Sequence, residues 1–319
     1  MVVDRKTGRL SHSVFARLPA IVKPGDVLVL NRSRVIPARL HVTRPTGGRV
    51  ELFVTRILDD GSVRALANPM RRIRVGDELA GAGDAFACHV LERLSDRELH
   101  ACFEAPMDTV GILESYGHVP LPPYIARPDE PSDRERYQTV YADDNGSVAA
   151  PTAGLHFSDE LLARLRASGV EVTSVVLHVG LGTFLPLDQE TVENNTLHSE
   201  YFKIDGNALG VISEAKREDR RVVAVGTTVT RVLETVFQRG LLDNFDRGTE
   251  YAGETDLFIY PGFNFKCVDQ LITNFHLPKS SLLLLVSAFL GVESTLACYE
   301  AAVEEKYRFY SYGDAMFIG

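Results

Sequence analysis

The chain has 319 residues, 45% of them hydrophobic and 24% charged, with a net charge of −9. That length and apolar content support a sizeable core spread over two domains, and they exclude a disordered or low-complexity chain. The four cysteines, Cys88, Cys102, Cys267 and Cys298, include no closely spaced pair. No disulfide framework or zinc-type pair is expected, and reduced thiols fit a cytosol.

The opening MVVDRKTGRL is too polar for a secretory signal. The longest apolar run, Leu282 to Leu290 interrupted at Ser287, is too short to span a bilayer. The expectation is a cytoplasmic protein with no membrane partner. Charge is unevenly spread: residues 1–100 hold 17 Lys+Arg against 11 Asp+Glu, and residues 101–319 hold 17 against 32. A basic first third on an acidic body permits a local phosphate-binding surface, although an arginine-rich solvated face has the same composition.

In chain order, Asp26–Asn31 reads as a buried strand after a Lys-Pro-Gly turn, and Gly48–Val54 as a partly alternating one. From about 60 to 105, short strands lie between turn signals at Asp59-Asp60-Gly61, Val75-Gly76-Asp77 and Gly81-Ala82-Gly83, the texture of a small antiparallel β module. Residues 117–136 are rich in Pro and charge and read as a linker or long ordered loop. Ser158–Ser168 is amphipathic, begins on a good N-cap and is stopped by Gly169. There follow a strand at Val170–His178, a helix at Asn207–Arg217, a strand at Val222–Val225 and a helix at Thr228–Gln238. A strand at Asp256–Tyr260, an apolar segment at Leu282–Leu290 and a last amphipathic helix at Ser294–Lys306 complete the chain. Alternating strands and helices indicate an α/β domain.

Four clusters hold His, Thr, Gly and Asn where a plain core would hold aliphatics. In Ala149-Ala-Pro151-Thr152-Ala-Gly154-Leu-His156-Phe157 a glycine turn before a helix could present backbone N–H groups to an anion, with His156 as base or ligand; a capping loop has the same residues. Leu177-His178-Val-Gly180-Leu-Gly182-Thr183-Phe184 stands at a predicted strand end, where α/β sheets collect ligands, and its glycines allow close approach. In His198-Ser-Glu200-Tyr201 a strand would put His198 and Glu200 on one face as an acid–base pair, or simply on a solvated face. Thr273-Asn274-Phe275-His276-Leu-Pro-Lys279, with the tail Tyr310-Ser-Tyr312-Gly-Asp314, suits a binding loop or ordinary turn chemistry. None of the nine histidines forms a His-x-His or His-x-x-x-His pair, so no metal is expected.

These clusters, with Val35–Leu40, Tyr137-Gln138-Thr139-Val-Tyr141, Gly226-Thr227-Thr228 with Arg231, and Thr255–Gly262, resemble the motifs of the S-adenosylmethionine:tRNA ribosyltransferase-isomerase family of queuosine biosynthesis. The resemblance spans nearly the whole chain. It departs at Arg32, where the family has Asp, and at Glu254, where it has Trp; the family also usually carries a further arginine-containing stretch upstream. The fold it implies is an α/β main domain, a mixed sheet with helices, carrying an inserted small antiparallel β-barrel. This is expected as residues 1–45 plus 120–319 for the former and 46–119 for the latter. The implied reaction transfers and isomerises the ribosyl part of S-adenosylmethionine onto 7-aminomethyl-7-deazaguanine at the tRNA wobble position, releasing adenine and methionine. S-adenosylmethionine is then a consumed co-substrate and no resident cofactor is needed; separately, a monomer is expected. The chemistry asks for a base beside the sulfonium-activated C5′ hydrogens and a proton donor for adenine. His156, His178, His198 and His276 are the candidates, with Glu200 or Asp314 orienting one of them. Tyr137, Gln138, Thr139, Pro151, Thr152, Gly154, Gly180, Gly182, Thr183, Gly226, Thr227, Thr228, Arg231, Thr273, Asn274, Phe275 and Tyr312 are the expected substrate-binding set. Arg32, Arg34, Arg39, Arg71, Arg72 and Arg74 are the expected tRNA phosphate contacts.

Overall fold

A computed structural model describes residues 1–58, 60–122, 124–180 and 196–319. The strands, in chain order, are β1 (Val2–Val3), β2 (Leu10–Ser11), β3 (Val27–Asn31), β4 (Ser33–Val35), β5 (Arg39–Thr43), β6 (Arg49–Ile57), β7 (Val63–Asn68), β8 (Glu78–Gly81), β9 (Phe86–Arg93), β10 (Glu98–Glu104), β11 (Asp144–Ser147), β12 (Glu171–Leu177), β13 (Thr196–Asp205), β14 (Val222–Val225), β15 (Glu250–Leu257), β16 (Gln270–Asn274) and β17 (Ala315–Ile318). The chain divides into two compact units. One comprises Met1–Ser33, Gln138–Asp144 and Ala150–Gly319, the other Arg34–Tyr137 and Asn145–Ala149.

The first unit is built on a nine-stranded mixed sheet in the order β15-β13-β12-β3-β14-β16-β17-β1-β2. Its centre, β12, β3, β14 and β16, is parallel. Parallel strands are covered on both faces, which is why Val27–Asn31 reads as an unbroken buried run. Leu28, Leu30, Val223, Val225, Ile272 and Phe317 turn toward one core, shared with Leu18, Phe157 and Leu161. The alternating residues Val27, Val29, Ala224 and Leu271 are buried as well. Ser158 caps the helix Asp159–Ala167 by accepting from the Leu161 N–H at 3.2 Å, and Gly169 leaves it at φ +84°.

The second unit is a closed six-stranded antiparallel barrel, β10-β7-β6-β5-β8-β9. Leu40, Val42, Val50, Leu52, Val54, Leu79 and Leu99 fill it at 1% exposure or less, and closure removes the strand edges. Its limits differ from the expected 46–119. Residues Arg39–Thr43 are barrel material, because Leu40 pairs with Leu52 and Val42 with Val50. The Pro-rich stretch also belongs here: Arg134 reaches the carbonyls of Glu114 and Gly117 at 2.6 and 2.7 Å, and Arg127 forks onto the buried Asp133. A helix at Thr109–Tyr116, capped by Asp108, was not foreseen.

Two further expectations shift. The strand anticipated at Asp256–Tyr260 lies at Glu250–Leu257, since pairing with β13 outweighs the apolar run that follows it. The apolar segment before the last helix is itself a helix, Ser281–Leu290, capped by Ser280, and a bend of 113° separates it from the helix Val292–Glu304. No single helix among the described residues is long and apolar enough to cross a membrane.

Asn31 closes the end of β3. Its Oδ1 accepts from the N–H groups of Leu177 and Ser33 at 3.0 and 3.1 Å, and its Nδ2 donates to the Leu177 carbonyl at 3.1 Å. Replacing it by alanine strands these buried groups. Urea denaturation should register a loss of about 1–3 kcal/mol with an unchanged slope.

Candidate active site at the strand ends

The four parallel strands finish on one edge of the sheet, at Asn31, Leu177, Val225 and Asn274. The antiparallel β17 starts there, Ala315 pairing with Asn274. Polar residues therefore line up along the edge: Glu200 and His178, then Asn31, Gly226, Asn274 and Asp314. Strand carboxyl ends are where open α/β sheets bind ligands.

The four histidines occupy different environments. His178 follows β12, and its Nε2 lies 2.9 Å from the Asp144 carboxylate. The second Asp144 oxygen takes the Lys203 ammonium at 3.0 Å, and Arg32 approaches at 3.7 Å. Burial would raise the Asp144 pKa, but the His178 and Lys203 hydrogen bonds prevail and hold it below the usual carboxylate value. His156 ends the 3-10 segment Thr152–His156, stacks on Phe15 at 4.9 Å and meets the Asn274 amide at 3.3 Å. Burial lowers its pKa, with Asp314 opposing. The His276 ring bonds to the Thr273 hydroxyl at 2.7 Å, its backbone N–H donates to the Tyr299 hydroxyl at 2.8 Å, and desolvation pushes its pKa down to about 4. His198 is exposed while Glu200 is buried. A register shift between Thr196 and Glu200 breaks the alternation that would have put them on one face.

Glu200 does not orient a histidine in these contacts. One oxygen accepts from the Gly180 N–H at 2.8 Å and the other pairs with Arg231. Arg231, buried, also donates to the carbonyls of Leu257 and Thr255 at 3.0 Å each, so its guanidinium is committed to the fold rather than to a ligand. Asp314 accepts from the Arg308 N–H at 2.7 Å. The carboxylate on His178 is Asp144, which sequence reasoning missed; with Lys203 it lies far from the histidine in sequence, and neither residue stands in one of the four clusters.

The remaining candidates divide. Gly154 is a packing requirement, since a Cβ there would lie 2.1 Å from the Tyr141 hydroxyl and 2.7 Å from the Thr139 methyl. Its N–H is taken by the Pro151 carbonyl at 2.8 Å and is not free for an anion. Thr152 is half-buried beside it. Gly226 has φ +95° and begins the helix Thr227–Gln238, and the Thr228 hydroxyl meets Asn31 at 3.4 Å. Thr227, Thr228, Thr273 and Phe275 are buried, whereas Tyr312 is 37% exposed. Tyr137 is buried in the barrel unit, and Gln138 and Thr139 belong to the sheet unit. Gly182 and Thr183 lie outside the described residues. Arg32 is ion-paired to Asp143 at 2.7 Å in the sheet unit. Arg34, Arg71, Arg72 and Arg74 are exposed in the barrel unit, and Arg39 there approaches Glu51 at 3.7 Å. Among the described residues no group of three His, Cys, Asp or Glu could hold a metal ion.

A mixed α/β sheet with polar side chains gathered at its strand ends, in a chain that also builds a small closed barrel, is the arrangement in which α/β proteins place ligand sites. The chain matches the family described as Queuosine biosynthesis protein over residues 1–318, and it belongs to that family. It is also similar to a solved structure, the S-adenosylmethionine tRNA ribosyltransferase of Thermotoga maritima. The two are 34% identical with a TM-score of 0.53, over 100% of this chain and 91% of that one.

His276 carries a pH signature. Its folded pKa, about 4, lies below the usual 6.5 of a solvated histidine. The native state then binds fewer protons than the unfolded chain, so its contribution is complete above pH 6.5 and drains away as pH falls toward 4. Chemical denaturation between those limits should show stability falling with acid, by up to about 3 kcal/mol from this residue. In His276→Gln that slope should shrink.

Proposed function

We propose that this chain is an S-adenosylmethionine:tRNA ribosyltransferase-isomerase. It would move the ribosyl part of S-adenosylmethionine onto 7-aminomethyl-7-deazaguanine in tRNA, rearrange it to epoxyqueuosine and release adenine and methionine. The observation that carries this reading is the likeness to a ribosyltransferase along the entire chain, at 34% identity. The donor is consumed, so the reading calls for no resident cofactor.

His178 is the acid–base residue in this proposal, and Asp144 rather than Glu200 or Asp314 orients it. An ionised carboxylate 2.9 Å from the ring fixes the imidazole and favours its protonated form, as a proton acceptor in a partly covered site requires. Gly226, with no Cβ at the end of β14, lets the sugar run close to the backbone there, while Asn31 holds the neighbouring strand ends in place. His276 is a structural histidine in this scheme, since its ring and its backbone N–H are both engaged within the fold.

Incubating the protein with S-adenosylmethionine and tRNA bearing the aminomethyl base, then analysing nucleosides and small products, tests the reaction. Adenine and methionine are the expected coproducts. S-adenosylhomocysteine in their place would mean methyl transfer and end the proposal. His178→Asn should lower turnover by ~10²-fold or more. Asp144→Asn removes a charge that stabilises the imidazolium, so the acidic limb of the kcat profile should move to lower pH.

The exposed arginines of the barrel unit, Arg71, Arg72 and Arg74, are the proposed phosphate contacts. Affinity for tRNA should fall as salt rises, and the triple alanine variant should flatten the log–log slope by about 0.7–0.9 for each phosphate left without its arginine. A slope indifferent to those arginines would remove them from the tRNA footprint.

A further inference from the structure

A cavity of about 210 Å³ in the sheet unit opens beside His156 and Asp314, with Phe15, Leu18, Ile21 and Ile272 among its walls. Sites that enclose a whole drug-sized ligand run to ~300–1,000 Å³, and an apolar hole of ~150 Å³ accepts a benzene ring. The volume therefore suits one flat bicyclic ring and is too small for an entire nucleoside conjugate. Mostly aliphatic and aromatic walls suit a ring with apolar faces.

The polar groups at the cavity have a readable pattern. Asn274 Nδ2 lies 3.2 Å from the Tyr310 carbonyl oxygen, which identifies it as the amide nitrogen, because two oxygens there would not bond. The same nitrogen lies 3.3 Å from His156 Nε2, so Nε2 accepts. The ring proton then sits on Nδ1, in a histidine that burial keeps neutral. Asp314 supplies the opposite function. Its Oδ2 accepts the Arg308 backbone N–H and its Oδ1 lies 3.8 Å from the exposed Arg308 guanidinium, beyond hydrogen-bond distance, so the carboxylate retains acceptor capacity. The Met1 ammonium and the Tyr307 hydroxyl at its rim are taken by Ala315 and His12, and Ser13 adds a hydroxyl; His156 and Asp314 offer a donor and an acceptor on a slot with largely apolar walls. Adenine presents the complement, an exocyclic amine that donates next to a ring nitrogen that accepts. Hypoxanthine, with a carbonyl and a ring N–H in those places, presents the reverse.

We propose that this cavity holds the adenine base of the S-adenosylmethionine donor, Asp314 accepting from its exocyclic amine and His156 donating from Nδ1 to a ring nitrogen. The assignment rests on the ribosyltransferase reading and deepens it by naming where one part of the donor is gripped. The ribose would then lead out along the strand ends toward Gly226 and Asn31. Three inter-strand steps of ~4.8 Å separate β16 from β12. His156 and His178 are therefore divided between base recognition and chemistry on the sugar and amine.

The test is calorimetry on the full chain with adenine alone as the probe. Saturable binding at one site is expected, competed by S-adenosylmethionine, with hypoxanthine weaker by ~10-fold or more, the weight of one mismatched hydrogen bond. Asp314→Asn exchanges an acceptor-only group for an amide and should cut the adenine-over-hypoxanthine preference by ~10-fold. Ile21→Phe narrows the cavity without touching either polar group and should weaken both purines by ~10-fold. Thermal unfolding confirms that each variant is folded, and the wild-type purine preference is decisive even if one is not. Equal affinity for the two purines, or competition by methionine in place of adenine, would overturn the assignment. Turnover that releases adenine from a protein that does not bind it would sink the cavity proposal and leave the transferase standing. Adenine bound with the expected preference, but no adenine or methionine produced from donor and tRNA, would instead sink the transferase reading and leave a purine site.

Discussion

Arg231 is buried, and every arm of its guanidinium is occupied by protein: the Glu200 carboxylate and the carbonyls of Thr255 and Leu257. Removing two charges from water costs several kcal/mol for each ion, and the cost is offset only when the pair is close and its remaining hydrogen-bonding groups are met. Here they are met, and the result is mechanical. The pair joins the helix Thr227–Gln238 to β13 and β15, and the other Glu200 oxygen holds the Gly180 amide at the exit of β12. The position of His178, two residues before Gly180, depends on that tether. A buried ion pair can thus fix the ends of strands that it does not belong to.

The same edge separates four histidines by the company they keep. His178 sits 2.9 Å from an aspartate held ionised by its neighbours. Next to Phe15 and the Asn274 amide, His156 is held neutral and suited to hydrogen bonding. His276, desolvated and tied to Thr273 and Tyr299, is part of the frame, and His198 faces solvent. One residue type yields distinct chemistries because burial and neighbouring charge act in opposite directions on the imidazolium.

The barrel unit is stabilised differently. Its inward positions alternate along each strand and fill the interior with Leu, Val and Ala, so closure leaves its polar side chains outward. Arg71 and Arg72 sit in the short 3-10 turn Met70–Arg72, with Arg74 just beyond. Met70 and Ile73 bury their side chains and Arg93 holds the Ile73 carbonyl at 3.3 Å, while the arginines between and after them stay exposed.

The sequence by itself determined what local physics controls. The unbroken apolar run of β3, the Ser158 cap, the Gly169 stop, and the helix–strand–helix run from Asn207 to Gln238 depend on neighbours within a few residues, and all are present. It also placed His156, His178, Gly226, Asn274 and Asp314 in motifs that do come to one edge. Only the tertiary structure decided which carboxylate meets which histidine. Asp144 lies 34 residues from His178 and Arg231 lies 31 from Glu200, separations over which no periodicity in the chain carries information. The extent of the barrel unit was decided the same way, by β5 pairing across to β6 and by Arg134 reaching back to the preceding helix. The irregularity in β13 likewise turned an expected His198–Glu200 pair into one exposed and one buried residue. Pairing register and burial are properties of partners distant in sequence, and they exist only once the sheet has formed.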